Sequence, residues 1–218
     1  MTKPTESSNP CCSSPYSYER AEVTPALEAV IEKAVRVLAR DGLVVYPTET
    51  IYGLGADALS EVAVYKVYEA KQRPMGKPIS VAVSDIEMIY GVAYVDEFAE
   101  RFIQKFLPGP VTVVLPVKSC LPPDLSGGTG TIGIRYPDHA VAQAIIAGLD
   151  SPITSTSANI SGEVSPVISD QINVPHDYLI DGGKLPGTPS TVINLATKKI
   201  ERPGAMLEEI ASFLKEEL

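Results

Sequence analysis

The sequence predicts a single α/β domain whose strands run in mixed directions. Helix and strand patterns alternate from residue 25 to residue 83, which is typical of α/β folds. After that, no internal repeat and no Pro/Gly linker long enough to divide the chain is found. With 218 residues, of which 44% are hydrophobic, the chain can bury a sizeable core. We therefore expect residues 21–218 to form one domain, preceded by a flexible polar tail over residues 1–20.

The first helix and strand are predicted from their boundary residues. Thr24 and Pro25 suit the N-cap and the first helical position, and an apolar face at helical spacing then runs over residues 26–40. The next apolar, β-branched run, residues 43–46, predicts a strand because Pro47 ends it.

The remaining elements follow from the same kinds of signal. Ser60 is a suitable N-cap, and Pro74 disfavours helical geometry at the residue before it, so a helix is predicted over residues 60–72. Residues 121–130 predict a turn-rich loop, and Asp138 is expected to cap the helix that follows it. Further helices are expected at residues 95–107, 138–147 and 206–217, and further strands at 79–83, 111–117, 131–135, 151–154, 178–180, 191–195 and 199–202.

Composition excludes several classes of function. The net charge of −9 argues against a broad surface for nucleic acid or for anionic membranes. No apolar run approaches the roughly 18 residues of a membrane helix, and the N-terminus lacks a secretory pattern, so a cytoplasmic protein without a membrane partner is predicted. The scarce cysteines and histidines argue against a protein metal site; they are Cys11, Cys12, Cys120, His139 and His176.

Cations at the ends of predicted elements point to an anionic ligand. Lys71, Arg73 and Lys77 crowd one helix end, and Arg135 and Arg202 each end a predicted strand. Arginine is the natural bidentate partner of carboxylate and phosphate. A solvated helix end would also explain the first three residues.

Hydroxyl and amide groups form a second candidate cluster. The stretch STSANISG, residues 155–162, contains Ser155, Ser157 and Asn159, and Ser165 and Ser190 follow at other turns. Such groups can cradle an anion or a nucleoside, although a surface turn and a strand cap are the plainer explanations. Glu49 and Asp57 could hold a metal or cap a turn, with the turn favoured for Asp57. The pair Gly53 and Gly55 is only a weak nucleotide signal, and no P-loop sequence is present.

Seven short motifs follow one another along the chain: YPTETIYGLGADA, KQRPMGKP, FLPGPVT, TIGIRYPDH, STSANISG, PSTVINL and ERPG. They occur in the order found in the YrdC-like family of threonylcarbamoyl-AMP synthases, which the chain resembles over about residues 24–206.

This resemblance implies an open, twisted mixed sheet with flanking helices around a concave substrate cavity. The implied enzyme is a nucleotidyltransferase that makes threonylcarbamoyl-AMP and pyrophosphate from L-threonine, bicarbonate or CO2, and ATP with Mg²⁺. It also implies a downstream threonylcarbamoyl-transferase complex, which uses the product to modify tRNA. The Mg²⁺ is expected to arrive on the ATP phosphates, without protein ligands.

The resemblance also implies roles for individual residues. Lys71 and Arg73 would be catalytic. The L-threonine subsite would consist of Thr50, Arg135, Ser155 and Ser190. The ATP subsite would consist of Arg73, Lys77, Thr131, Ser157, Asn159, Ser165 and Arg202, with Asn159 fixing its loop.

Two departures from the family pattern affect this assignment. Many relatives have Asn where Lys77 stands and His where Ala82 stands. Longer members also carry a second domain whose linker covers the nucleotide; this chain is expected to lack that cover or to replace it, and the first 20 residues are a candidate. A double-stranded RNA or tRNA-binding module without synthase activity is the alternative, and weak RNA binding is compatible with either reading. A related carbamoyl-adenylate former of hydrogenase maturation would need domains not seen here.

Overall fold

A computed structural model describes residues 25–217, and the predicted tail over residues 1–20, with Cys11 and Cys12, lies outside them. The boundary at residue 21 therefore stays a prediction. The described strands form one open nine-stranded sheet in the order β7-β1-β2-β6-β3-β5-β4-β8-β9. Three neighbouring pairs are parallel (β1–β7, β3–β5 and β4–β8), and the other five are antiparallel. The strands are β1 Val44–Tyr46, β2 Gly53–Gly55, β3 Ser80–Ala82, β4 Val111–Pro116, β5 Thr131–Arg135, β6 Ile153–Ser157, β7 Tyr178–Leu179, β8 Thr191–Asn194 and β9 Lys199–Arg202.

The helices confirm the predicted α/β alternation and the predicted N-cap Ser60, whereas the predicted N-cap Thr24 lies outside the described residues. Ser60 accepts a hydrogen bond from the Ala63 amide at 3.2 Å, as expected of an N-cap. Asp57 likewise accepts one from the Leu59 amide at 3.0 Å, which confirms its predicted turn role. The α-helices are α1 Pro25–Leu38, α2 Glu61–Ala70, α3 Ile86–Val92, α4 Glu97–Phe106, α5 Pro123–Ser126, α6 Ala140–Leu149 and α7 Leu207–Glu216.

Two local predictions were wrong, and two elements, strand β2 and helix α3, were not predicted. The residue at the N-cap of α6 is His139 rather than Asp138, and its side chain makes no capping bond. Helix α3 was not predicted, and the short helix α5 lies in the stretch predicted as loop. Asp85 starts α3 by accepting a bond from the Met88 amide at 2.7 Å, so a capping signal was present in the sequence.

The glycines after β1 allow close packing against a tyrosine ring. Gly53 and Gly55 form strand β2, which pairs with β1 in antiparallel register. A Cβ atom added at either glycine would lie 2.9 Å from the ring of Tyr46. The ring of Tyr46 therefore occupies the space that these two residues leave.

The sheet separates two hydrophobic clusters. Because neighbouring residues of a strand face opposite sides, Val45 and Val81 join the larger cluster and Val44 and Ala82 the smaller one. Helices α1 and α6 cover the smaller cluster, which also contains Ile153. Ser155 and Ser157 share the face of Ile153 further along β6. This part of the face is the floor of the candidate site.

None of the helices among residues 25–217 is long and apolar enough to span a bilayer.

Candidate functional site

A polar cavity of about 230 Å³ lies on this face of the sheet. The register explains its position, because Ser155 on β6 lies beside Ser80 on β3, and Thr112 on β4 lies beside Arg135 on β5. Three arginines and a set of hydroxyl groups line it, and none of its lining residues in the described chain is acidic. The lining consists of Thr48, Ile51, Tyr52, Gly53, Arg73, Pro78, Ile79, Ser80, Thr112, Arg135, Ser155, Thr156, Ser157, Ser165, Pro189, Ser190, Val192 and Arg202.

Arg135 is held at the cavity by the turn after β1. Its Nη2 atom donates to Glu49 Oε1 and to Thr50 Oγ1, both at 2.7 Å. Thr48 supports this turn, because its hydroxyl lies 2.8 Å from that of Thr50 and 2.7 Å from the Ile51 carbonyl. Arg135 Nη1 has no hydrogen-bond partner within residues 25–217 and is not fully buried. One side of the guanidinium is therefore committed to the protein, and Nη1 is available to a ligand.

Arg202 also lines the cavity and is held there by Ser190. Its Nη2 atom donates to the Ser190 carbonyl at 2.8 Å and to Ser190 Oγ at 3.1 Å. The Ser190 hydroxyl in turn lies 2.8 Å from that of Thr112. Burial, and secondarily the charge of Arg135, lowers the pKa of Arg202. Arginine nevertheless stays protonated in proteins, so the two guanidinium groups repel each other and favour an anion between them.

Arg73 follows α2 and is fixed to the loop that leads to β3. Its Nη2 atom donates to the Pro78 carbonyl at 2.7 Å and its Nε atom to the Lys77 carbonyl at 3.3 Å. Burial lowers the pKa of Arg73. The Tyr68 hydroxyl also lies 2.9 Å from the Lys77 carbonyl, which orders this loop from below. The side chain of Lys77 itself is exposed and does not line the cavity.

Lys71 lies beneath the cavity and holds the loop after β6. It is 1% exposed, and its ammonium group donates to the carbonyls of Ser157 and Asn159. The Ser161 amide donates back to the Lys71 carbonyl at 2.8 Å. Burial, and secondarily the charge of Arg73, lowers the pKa of Lys71 to about 8. The side-chain amide of Asn159 holds the same loop by donating to the carbonyls of Ile160 and Glu163.

The structure brings most of the predicted site residues together. Seven line the cavity: Arg73, Arg135, Ser155, Ser157, Ser165, Ser190 and Arg202. Five others do not line it: Thr50, Lys71, Lys77, Thr131 and Asn159. Thr50, Lys71 and Asn159 are buried and contact lining residues or their loop, whereas the Thr131 hydroxyl lies 3.0 Å from that of Thr129. The ligand contacts assigned to all twelve residues stay predictions.

Sequence reasoning missed several residues of the cavity. Ser80 and Thr112 lie beside Ser155 and Arg135 in the sheet, but their pairing depends on strand order, which the sequence does not give. Glu49 was considered only as a metal ligand or turn cap, and it is instead the ion-pair partner of Arg135. Polar residues inside otherwise apolar strands are the signal that could have identified Ser80 and Thr112.

The lining fits anions better than cations. Among the described residues, no group of three or more His, Cys, Asp or Glu could hold a metal ion. Magnesium prefers carboxylate, phosphate and water oxygens, and the lining offers hydroxyl groups and guanidinium donors instead. A magnesium ion here would depend on oxygens brought by the ligand.

Comparison with known proteins gives a consistent assignment. The profile of the Sua5/YciO/YrdC family, described as telomere recombination, matches residues 36–204. A threonylcarbamoyl-AMP synthase from Pyrococcus abyssi is 39% identical over 202 residues, which are 87% of this chain and 59% of the relative. A threonylcarbamoyl-AMP synthase from Bacillus subtilis is 38% identical over 190 residues, which are 82% of this chain and 54% of that protein.

Solved structures of related proteins have the same fold as this chain. The crystal structure of Pyrococcus abyssi Sua5 complexed with L-threonine has a TM-score of 0.80 and 38% identity; the match covers 84% of this chain and 56% of that one. This chain thus spans somewhat more than half the length of these relatives. The ordered motifs, the open mixed sheet and the family profile together show that the chain belongs to the Sua5/YciO/YrdC family.

Proposed function

We propose that this protein is an L-threonylcarbamoyladenylate synthase. The observation that carries the proposal is the cavity itself, in which three guanidinium groups converge among hydroxyls without a lining carboxylate. Such a site suits a ligand with several negative charges, although the whole protein is acidic. The names of the relatives from Pyrococcus abyssi and Bacillus subtilis support the choice of reaction.

The proposed reaction joins three substrates without a protein nucleophile. Bicarbonate takes up a proton and loses water to give CO2, and the uncharged amine of L-threonine attacks this CO2. The new N–C bond gives a carbamate, and the proton that the amine releases balances the one that bicarbonate took up. A carbamate oxygen then attacks the α-phosphorus of ATP, and the bond to the β-phosphate oxygen breaks. The products are threonylcarbamoyl-AMP and pyrophosphate. Catalysis of this kind depends on holding the reactants together and on stabilising the charge of the polyphosphate.

The L-threonine subsite is proposed at Arg135. Its free Nη1 group would donate to the carboxylate of the amino acid, while Thr50 and Glu49 hold Nη2. The hydroxyls of Ser155 and Ser190 line the same cavity and would complete the subsite. The complex of Pyrococcus abyssi Sua5 with L-threonine is consistent with an amino-acid ligand in this fold.

The nucleotide subsite is proposed on the side of Arg73 and Arg202. These two guanidinium groups would neutralise the phosphates, with hydroxyl donors from Ser157 and Ser165. Lys71 keeps the Ser157 loop in place from beneath. Contacts of ATP with Lys77, Thr131 and Asn159 stay predictions from the sequence. A magnesium ion bound to the polyphosphate would neutralise part of the phosphate charge, and Arg73 and Arg202 would neutralise the remainder.

Release of pyrophosphate tests the proposal directly. The purified full chain is incubated with ATP, Mg²⁺ and bicarbonate, with L-threonine, L-serine or no amino acid. We expect pyrophosphate only when both bicarbonate and L-threonine are present. Release without an amino acid would show a different acceptor. No release from the folded protein would refute independent synthase activity, and a salt-sensitive shift of tRNA in a gel would then favour the RNA-binding alternative.

Downstream use of the product is also part of the proposal. A mixed anhydride of a carbamate and a phosphate is reactive, so an acceptor enzyme acting on tRNA must consume it. We propose the threonylcarbamoyl-transferase complex in this role. A cytoplasmic location is consistent with such a partner and stays a prediction.

A further inference from the structure

The ion pair between Glu49 and Arg135 is the most buried one described in residues 25–217. The side chains are 7% and 8% exposed, whereas Arg36–Glu32 and Arg101–Glu97 have at least 45% exposure on each side. Exposed pairs of this kind contribute little, but a buried charge must be compensated nearby. Glu49 therefore compensates the charge of the Arg135 guanidinium and holds its orientation at the cavity.

The unpaired atoms of this ion pair divide the guanidinium into two sides. Glu49 Oε2 and Arg135 Nε are both buried without a hydrogen-bond partner in the described chain. The pair is therefore joined by a single hydrogen bond, from Nη2 to Oε1, which is 2.7 Å long. Nη2 is committed to Glu49 and Thr50 and Nε is buried, so Nη1 is the donor that remains for a ligand.

The negative charge of Glu49 affects the ionisation of the neighbouring Asp138. Burial, and secondarily Glu49, raises the pKa of Asp138. A carboxylate at this position likewise opposes a ligand of high negative charge at Arg135, because its repulsion acts across a poorly solvated site. Arg73 and Arg202 have no carboxylate partner in the described chain and keep their full charge for phosphates.

We propose that Glu49 is a positioning residue that directs Nη1 of Arg135 into the cavity and makes that arginine select an amino-acid carboxylate over multiply charged inorganic anions. The proposal rests on the proposed function for the identity of the amino acid, L-threonine. It explains how one cavity with three arginines can keep an amino-acid subsite free of phosphate. Glu49 acts through Arg135 and needs no contact with the ligand.

Two variants of Glu49 separate charge from position. Glu49→Gln keeps the length and an acceptor oxygen but removes the charge, whereas Glu49→Asp keeps the charge and shortens the reach. Isothermal titration with L-threonine and with inorganic pyrophosphate, each alone, measures the two affinities.

For Glu49→Gln we expect about tenfold weaker L-threonine binding and several-fold tighter pyrophosphate binding. For Glu49→Asp we expect weaker L-threonine binding with pyrophosphate binding unchanged. Glu97→Gln, in the exposed pair with Arg101, is the matched control and should change neither affinity.

Opposite changes in the L-threonine and pyrophosphate affinities of Glu49→Gln distinguish a positioning role from a merely structural one. A variant that simply loosens the site would weaken both ligands together, and that result would overturn the proposal, as would unchanged affinities in Glu49→Gln. If Glu49→Gln does not fold, the pyrophosphate affinity of Glu49→Asp tests the proposal instead. This variant keeps the negative charge, so tighter pyrophosphate binding than in the wild type would contradict the charge argument. If the wild-type protein binds no L-threonine, the proposed function fails. In that case the pyrophosphate affinities of wild type and Glu49→Gln still decide whether Glu49 controls the charge of the site.

Discussion

Replacement of Lys71 by methionine is expected to destabilise the protein and to loosen the loop after β6. The lysine is 1% exposed and donates to the carbonyls of Ser157 and Asn159. Methionine fills a similar volume but leaves both carbonyls without this donor, at a cost of roughly 1–3 kcal/mol each. Removing a cation that burial disfavours offsets part of that cost. At neutral pH we expect the free energy of unfolding to fall by about 2 kcal/mol, which lowers the Tm by about 4–8 °C for a domain of this size.

The difference in the free energy of unfolding between the wild type and Lys71→Met should increase in alkaline solution. Burial lowers the pKa of Lys71 from 10.5 to about 8 in the folded protein, so the unfolded chain binds more protons between these values. The free energy of unfolding of the wild type therefore rises as the pH increases from about 8 to 10.5. This additional stability is lost as the pH falls back to about 8. By about pH 9.5 this linkage adds about 2 kcal/mol to the difference between wild type and variant.

Urea unfolding near pH 7 and near pH 9.5 measures both effects. The matched control is Lys66→Met on the same helix, where a half-buried ammonium donates to the Asp41 carbonyl at 2.7 Å, away from the cavity. That variant should lose about 1 kcal/mol at most near pH 7. Equal losses for the two variants, or a Lys71→Met deficit that does not grow with pH, would refute the reasoning.

Three further predictions concern ligand subsites and packing. Arg135→Ala should weaken L-threonine binding at least tenfold more than ATP binding, because it removes the proposed carboxylate partner; equal losses in calorimetric titrations would argue against that role. Arg73→Ala should raise the KM for ATP about tenfold or more while sparing L-threonine binding; unchanged pyrophosphate release at limiting ATP would contradict it. Gly53→Ala should cost about 1–3 kcal/mol in urea unfolding, because its Cβ would lie 2.9 Å from the Tyr46 ring. The control Gly91→Ala, in a helix with no atom within 4 Å of the added Cβ, should be neutral or slightly stabilising, and equal losses would disprove the packing argument.

Local signals account for the parts of the fold that were predicted correctly. Ser60 begins helix α2 by capping it, an effect that acts within a few residues, and the end predicted at residue 72 from Pro74 lies two residues beyond the last helical residue, Ala70. Strand β5 was predicted with its exact bounds because an apolar run leads directly to Arg135 and Tyr136-Pro137. Strand β2 was missed because its two glycines carry no strand propensity, and only the ring of Tyr46 across the hairpin explains them.

By itself, the sequence determined the chemical character of the site. Arg73, Arg135 and Arg202, together with the serine-rich turn after β6, predicted an anionic ligand, and the order of the motifs predicted the family. These properties depend on residue types and spacing, which are local.

Only the tertiary structure decided which groups line the cavity and which hold those groups in place. The catalytic role implied for Lys71 stays a prediction; the structure adds that its ammonium donates to two carbonyls of the loop after β6, which supplies donors to backbone groups of that loop. Glu49 was ambiguous until the sheet placed it against Arg135, 86 residues away in the chain. Such pairings follow from strand order and register, which arise from packing the whole sheet and not from any one segment.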